Sequence, residues 1–112
     1  MSRGLRHLDA CAAEAAVQRH YASLGAQPVA ARLRLGRTDI DLVLQHNQTF
    51  IFVEVKKSKT HDQAVTRITP AQTARLFEAV ALFMADRTGE IRVDVALVDQ
   101  AGRVMVLENA FA

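Results

Sequence analysis

A chain of 112 residues, half of them hydrophobic, carries enough apolar side chains for one core and not for two, so residues 1–112 are expected to form a single domain. Its 14 basic and 12 acidic residues leave a net charge of +2, a mild excess that permits an anionic partner without demanding one. The longest apolar runs, such as 79–85, fall well short of the roughly 20 residues a bilayer span needs, and the single cysteine, Cys11, excludes an internal disulfide or a thiolate zinc cluster.

Met1-Ser2-Arg3-Gly4-Leu5-Arg6-His7 is basic, but an alanine-rich stretch interrupted by Asp9 and Glu14 follows it instead of a secretory core, so a cytoplasmic protein without a membrane partner is expected. Across residues 7–24, Cys11, Glu14, Val17, Tyr21 and Leu24 recur at helical spacing, and Gly25 supplies a stop; Cys11 is read as a small core residue. Pro28 and Val29 open a short extended stretch to about Leu33, which leads into the basic run Arg32-Leu33-Arg34-Leu35-Gly36-Arg37, an edge strand and turn. Ile40-Asp41-Leu42-Val43-Leu44 and Phe50-Ile51-Phe52-Val53-Glu54-Val55 are strand-like, and the polar residues 45–49 between them make a hairpin. Residues 57–68 are polar and irregular. Thr69-Pro70 then predicts an N-cap and a first helical residue, with Leu76, Val80, Phe83 and Met84 forming an apolar stripe beside Phe77. Two strands, 91–98 and 104–107, follow the break at 86–89, and 109–112 form a short tail. The order helix, three strands, helix, two strands implies an α/β domain with a mixed sheet of about five strands flanked by helices, the second helix bringing the fourth strand parallel to the third.

Residues two apart on a strand share a face, so Glu54 and Lys56 point one way with Phe50 and Phe52, while Val53 and Val55 point the other way into the core. A turn centred on Asn47-Gln48 sets Asp41 opposite Glu54, and Asp39 opposite Lys56. Two opposed carboxylates repel unless a cation lies between them, and oxygen ligands suit Mg2+ or Mn2+. Phosphodiester hydrolysis needs such a metal and a cation that stabilises developing charge, roles that Asp41 and Glu54 as ligands and Lys56 as the cation can fill. Glu14 shares a helix side with Val17, Tyr21 and Leu24, a costly position unless it reaches a polar partner, so it is a candidate to complete the metal shell directly or through water.

The pattern Ile40-Asp41-Leu42-Val43, a turn, Phe52-Val53-Glu54-Val55-Lys56 and a closing Glu108-Asn109-Ala110-Phe111 resembles the YraN-like family of small bacterial proteins. The resemblance runs from about Glu14 to Phe111 and implies a restriction-endonuclease-like, PD-(D/E)xK fold with an αβββαβ core, similar to Holliday-junction resolvases and the tRNA-splicing endonuclease domain. By it, Asp41, Glu54 and Lys56, with Glu14 auxiliary, become catalytic. The family usually has Gly-Glu where this chain has Thr38-Asp39, an Asn at the position of Arg32, and a lysine at that of Gln72, where some related nucleases use glutamine to position substrate or water.

Arg32, Arg34, Arg37, Lys57, Lys59 and Arg67 are candidates for a phosphate-binding rim, because such cations neutralise a nucleic-acid backbone without reading its sequence. Any one of them is equally explained as solvated surface charge. His7, His20, His46 and His61 lack a paired ligand spacing, and Phe77, Phe83, Met84 and Met105 fit a core better than a stacking platform. Asp94 and Gln72 are second-tier candidates, better explained as a polar strand residue and a first-turn residue. The expected function is metal-dependent cleavage of structured or branched DNA, with a homodimer suited to paired cuts. A non-catalytic nucleic-acid-binding module of the same fold is the alternative that the Gln72 departure allows, and a protein-interaction domain ranks third.

Overall fold

A computed structural model of the chain describes residues 2–65 and 68–111, with side chains described from residue 12 onward. The expectations placed on the Cys11 and His7 side chains and on Arg67 therefore lie outside the described residues. Helix α1 (Ser2–Ser23) is followed by strands β1 (Gln27–Leu35), β2 (Thr38–His46) and β3 (Thr49–Lys57), helices α2 (His61–Val65) and α3 (Pro70–Met84), and strands β4 (Glu90–Val98) and β5 (Val104–Leu107). No helix is long and apolar enough to cross a membrane among the described residues.

The five strands form one mixed sheet in their chain order. Neighbours pair antiparallel except β3 and β4, which run parallel because the segment containing α2 and α3 crosses over between them. Alternation along the central strands gives each face its own apolar set. Leu42, Leu44, Ile51, Val53, Ala96 and Val98 pack against Ala13, Val17 and Tyr21 of α1. Val43, Phe50, Phe52 and Val93 pack against Leu76, Ala79, Val80 and Phe83 of α3. Phe83 is the anchor of that second layer, its ring standing edge-on to Phe50 at 5.6 Å and to Phe52 at 5.4 Å between centroids.

Helix α3 starts where its sequence says it should. The Thr69 hydroxyl accepts the Gln72 backbone N–H at 3.2 Å, and the Gln72 side-chain oxygen accepts the Thr69 N–H at 3.4 Å, a reciprocal capping box with Pro70 at the first helical position. Thr69→Ala removes one half of this box and is expected to cost about 1 kcal/mol in urea denaturation. At the other end of α3, Gly89 adopts φ +144°, and a Cβ there would lie 2.7 Å from the Gln48 carbonyl oxygen, so the chain can return to the sheet only through a glycine.

Several expectations need correction. Residues 57–68 are not wholly irregular, since α2 forms a short helix there that buries only Ala64. Leu24 does not belong to the apolar stripe of α1: the helix ends at Ser23, Gly25 turns the chain at φ +86°, and Leu24 is left 55% exposed. Phe77 and Met105 are surface residues and not core, and Phe77 instead stacks edge-on with Phe111 of the tail at 5.9 Å.

Candidate functional site

The antiparallel ladder between β2 and β3 pairs Leu42 with Val53, Val43 with Phe52, Leu44 with Ile51 and His46 with Thr49. This is the offset that the turn at Asn47-Gln48 predicts, and it ends one step short of the expected Asp41–Glu54 pair. The described ladder stops at Leu42, however, although β2 reaches back to Thr38 and β3 runs on to Lys57. Instead of pairing with a backbone carbonyl of β2, the Val55 N–H donates to Asp41 Oδ2 at 2.7 Å. The two strands fork here, and a carboxylate occupies the fork, satisfying a donor that the ladder has released.

The fork has a cause in β1 and β2. Ile40 and Leu42 are two apart and should share a face, yet Leu42 packs on the α1 side and Ile40 under α3. On β1, Ala31 pairs with Leu42 and Leu33 with Ile40, which leaves Arg32 facing Asp41, and Arg32 sits in the left-handed region at φ +51°. Such a conformation costs a non-glycine residue about 1 kcal/mol or more and collects at functional sites. Beyond this switch the hairpin arm bends over α3, where Leu33 and Leu35 join the aromatic layer and Arg37 Nη2 reaches Glu78 Oε2 at 3.4 Å.

The switch brings five charged side chains into one row. Arg32 Nε donates to Glu14 Oε2 at 3.0 Å, and Glu14 is only 25% exposed on the side of α1 that carries Val17 and Tyr21. Glu54 Oε1 pairs with Lys56 Nζ at 3.2 Å, and Lys56, 15% exposed, also donates to Gln72 Oε1 at 3.3 Å. Asp41 stands between these two ion pairs and has no cation of its own among the described residues. Burial, then the charges of Glu54 and Glu14, push its carboxyl up from 3.8 to about 6, against the Val55 N–H and Lys56.

That surplus carboxylate gives a test of the electrostatics independent of any activity. Because the folded pKa of Asp41, about 6, exceeds its ordinary 3.8, the fold favours the protonated form. Stability from this group is fully present below 3.8 and is lost as pH rises through about 6. Asp41→Asn, which can still accept from Val55, is therefore expected to melt with the wild type in acid and to melt above it at pH 7 to 8. A gap that fails to open between those limits would mean that Asp41 is not strained.

Whether a divalent ion suits these residues follows from their chemistry. Among the described residues, no three His, Cys, Asp or Glu side chains converge into a ready ligand set. Glu14 is turned to Arg32, so it neighbours Asp41 electrostatically without joining a three-carboxylate cage. Mg2+ is ordinarily held by one or two carboxylates, its remaining positions going to water and phosphate oxygens. Asp41 and Glu54 are carboxylates of the kind that smaller requirement calls for, and an ion at Asp41 would offset the Glu54 and Glu14 charges that add to burial in raising its pKa.

The other sequence candidates divide. Arg32 and Gln72 come into the charged row. Arg34 and Arg37 do not: they lie on the arm that bends over α3, in exposed pairs with Asp39 at 3.5 Å and Glu78 at 3.4 Å. Asp39 thus faces Arg34 and not Lys56, because the strands have already parted at Asp41. Lys57 and Lys59 lie at the end of β3, half-buried and exposed, on or beyond the last strand residue.

The profile of uncharacterised protein family UPF0102 matches residues 13–98, which includes the whole charged row. The chain belongs to this family. It is the YraN-like family that the motifs around Asp41 and Glu54 resemble. Similar relatives include a UPF0102 protein of Roseobacter denitrificans, 45% identical, with 89% of this chain and 81% of the relative covered. Two from Cereibacter sphaeroides are 46% identical, covering 89% of each chain, and 40% identical, covering 100% of this chain and 99% of the relative.

One group that the sequence offers only as a polar strand residue has a larger part in the fold. Asp94, on β4, is fully buried and carries a network: the Tyr21 hydroxyl donates to Oδ2 at 2.8 Å, Arg92 Nη2 to the same oxygen at 2.9 Å, and the Asn109 N–H to Oδ1 at 3.0 Å. Burial and the Asp94 charge hold the Tyr21 hydroxyl far above its ordinary pKa. The network ties α1 and the tail to β4, and the tail puts Phe111 against the notch formed by Glu54, Lys56 and Gln72. The signal was present in Val93-Asp94-Val95: a carboxylate in an apolar run must have partners.

Proposed function

We propose that this UPF0102 protein is a metal-dependent nuclease of the restriction-endonuclease-like, PD-(D/E)xK kind, hydrolysing phosphodiester bonds in structured or branched DNA. The observation that carries this reading is the Asp41 carboxylate held in the fork of β2 and β3, with no ion pair of its own among the described residues, beside the Glu54–Lys56 pair. Asp41 and Glu54 would hold Mg2+ or Mn2+, with Glu14 acting from its ion pair with Arg32. When bound, the ion supplies polarisation of a phosphoryl oxygen and a more acidic water. Lys56 sets a positive charge where the transition state gains negative charge, and Gln72, by accepting from it, holds the ammonium at the helix start.

A non-catalytic nucleic-acid-binding module is favoured by one specific observation: Gln72 occupies the place of a lysine usual in the family, and Glu14 and Glu54 already have cationic partners. Nicking of branched and duplex DNA with Mg2+ or Mn2+, against a chelated control, separates the two. Metal-dependent cleavage supports the nuclease. Salt-dependent binding that survives Asp41→Asn, with no cleavage, supports the module. Absence of both binding and cleavage would remove nucleic acid as the partner.

A further inference from the structure

On the α1 side of the sheet lies a second concavity, outside the charged row. It is an open groove of about 1080 Å³ at the carboxyl ends of β3 and β4, closed on one side by the turn at 99–102. In open α/β sheets ligands are commonly taken outside the carboxyl ends of parallel strands, and β3 and β4 are the parallel pair of this sheet. Among the described residues, α1 lines it with Ala12, Ala13 and Ala16, side chains too short to fill the space over the strand ends.

The wall is therefore apolar, and the rim is cationic. Arg19, Lys57 and Lys59 line it, and the side chains of Arg19 and Lys59 have no hydrogen bond or ion pair among the described residues. Among the described lining residues the one carboxylate is Asp99, whose Oδ1 accepts the Ala101 and Arg103 N–H groups at 2.9 Å while its Oδ2 faces His61 Nε2 at 3.8 Å. An anion in the groove would thus meet an excess of positive charge over a small apolar surface. Lys57 also follows Lys56 directly, and it lies three positions, about 10 Å, along β3 from Glu54.

We propose that this groove binds a phosphate-bearing nucleotide, with Arg19 and Lys59 on the phosphate and the alanine wall against the sugar or base. The proposal rests on the nuclease reading for one of its two sources, a flanking nucleotide of the strand held at Asp41 and Glu54; the other is a free nucleotide. The groove lies far enough along β3 to take a neighbouring phosphate of the same strand, which would pass over the carboxyl end of β3.

Titration of the full chain in chelator, followed by amide NMR, tests binding without cleavage. A nucleoside 5′-monophosphate and a short single-stranded oligonucleotide are expected to shift the Ser58, Lys59, Ala101 and Gly102 amides. Arg19→Ala with Lys59→Ala, both exposed positions, should weaken binding by about tenfold or more. Arg75→Ala, an exposed change on α3, should leave monophosphate binding unchanged. An oligonucleotide that binds more tightly than the monophosphate identifies the flanking nucleotide, and equal affinities identify a free one. No shift, shifts unaltered by the double change, or inorganic phosphate matching the nucleotide would each overturn the proposal. Cleavage without these shifts would remove the groove and keep the nuclease, whereas shifts without cleavage would do the reverse.

Discussion

Lys56→Ala and Glu54→Gln are each expected to slow metal-dependent nicking by about 10²-fold or more, and to do so in different ways. Both side chains are largely withdrawn from water, at 15% and 24% exposure, so the charge each supplies is weakly screened. Glu54→Gln keeps the shape and the hydrogen bond to Lys56 but removes a hard anionic ligand. The manganese concentration for half-maximal rate should rise by about 10 to 100-fold, and saturating metal should recover part of the loss. Lys56→Ala leaves Asp41 and Glu54 as ligands, so its metal requirement should stay the same or fall while the saturated rate drops. Rate measured against manganese concentration for the three proteins checks both statements. If Lys56→Ala raised the metal requirement as much as Glu54→Gln, the two residues would not have separate roles.

The hairpin that holds these residues was legible because its signals are local. Asn47, in the left-handed region at φ +56°, and Gln48 form the tight link between two β-branched runs, which fixes the register of β2 on β3. The start of α3 was legible for the same reason, since Thr69, Pro70 and Gln72 are enough to write a capping box. The fork at Asp41 was not. It depends on β1 and β2 changing face together at Arg32 and Asp41, and strict alternation contains no sign of a residue entering the left-handed region. The fate of the arginines was hidden likewise, because Arg37 finds Glu78 forty-one positions along the chain, through a bend that the periodicity of β1 does not encode. Glu14 shows the middle case: its costly side of the helix was readable, and its partner Arg32 was not.

Asp94→Ala is expected to be the most destabilising single change in the protein, at about 3 to 5 kcal/mol, a large fraction of the roughly 5 to 15 kcal/mol that holds an ordinary domain folded. The side chain is fully buried and accepts from three separate parts of the chain, Tyr21 on α1, Arg92 on its own strand and Asn109 in the tail. Its loss leaves a guanidinium only 27% exposed whose one remaining counter-charge among the described residues is the more distant Glu108, with Oε1 3.8 Å away. Asp94→Asn keeps the shape, but turns a donor amide toward groups that are themselves donors, so it should cost less than alanine and more than Tyr21→Phe. The last change deletes one hydrogen bond while Arg92 still neutralises the carboxylate, a loss of about 1 kcal/mol. Urea denaturation followed by circular dichroism orders the three. A cost below about 1 kcal/mol for Asp94→Ala would mean that the ion pair is not the tie it is argued to be. The network also reaches the charged row: it pins the tail that carries Phe111 to the notch beside Lys56. Tyr21→Phe, which leaves Asn109 attached, should therefore lower stability without changing the metal dependence of nicking.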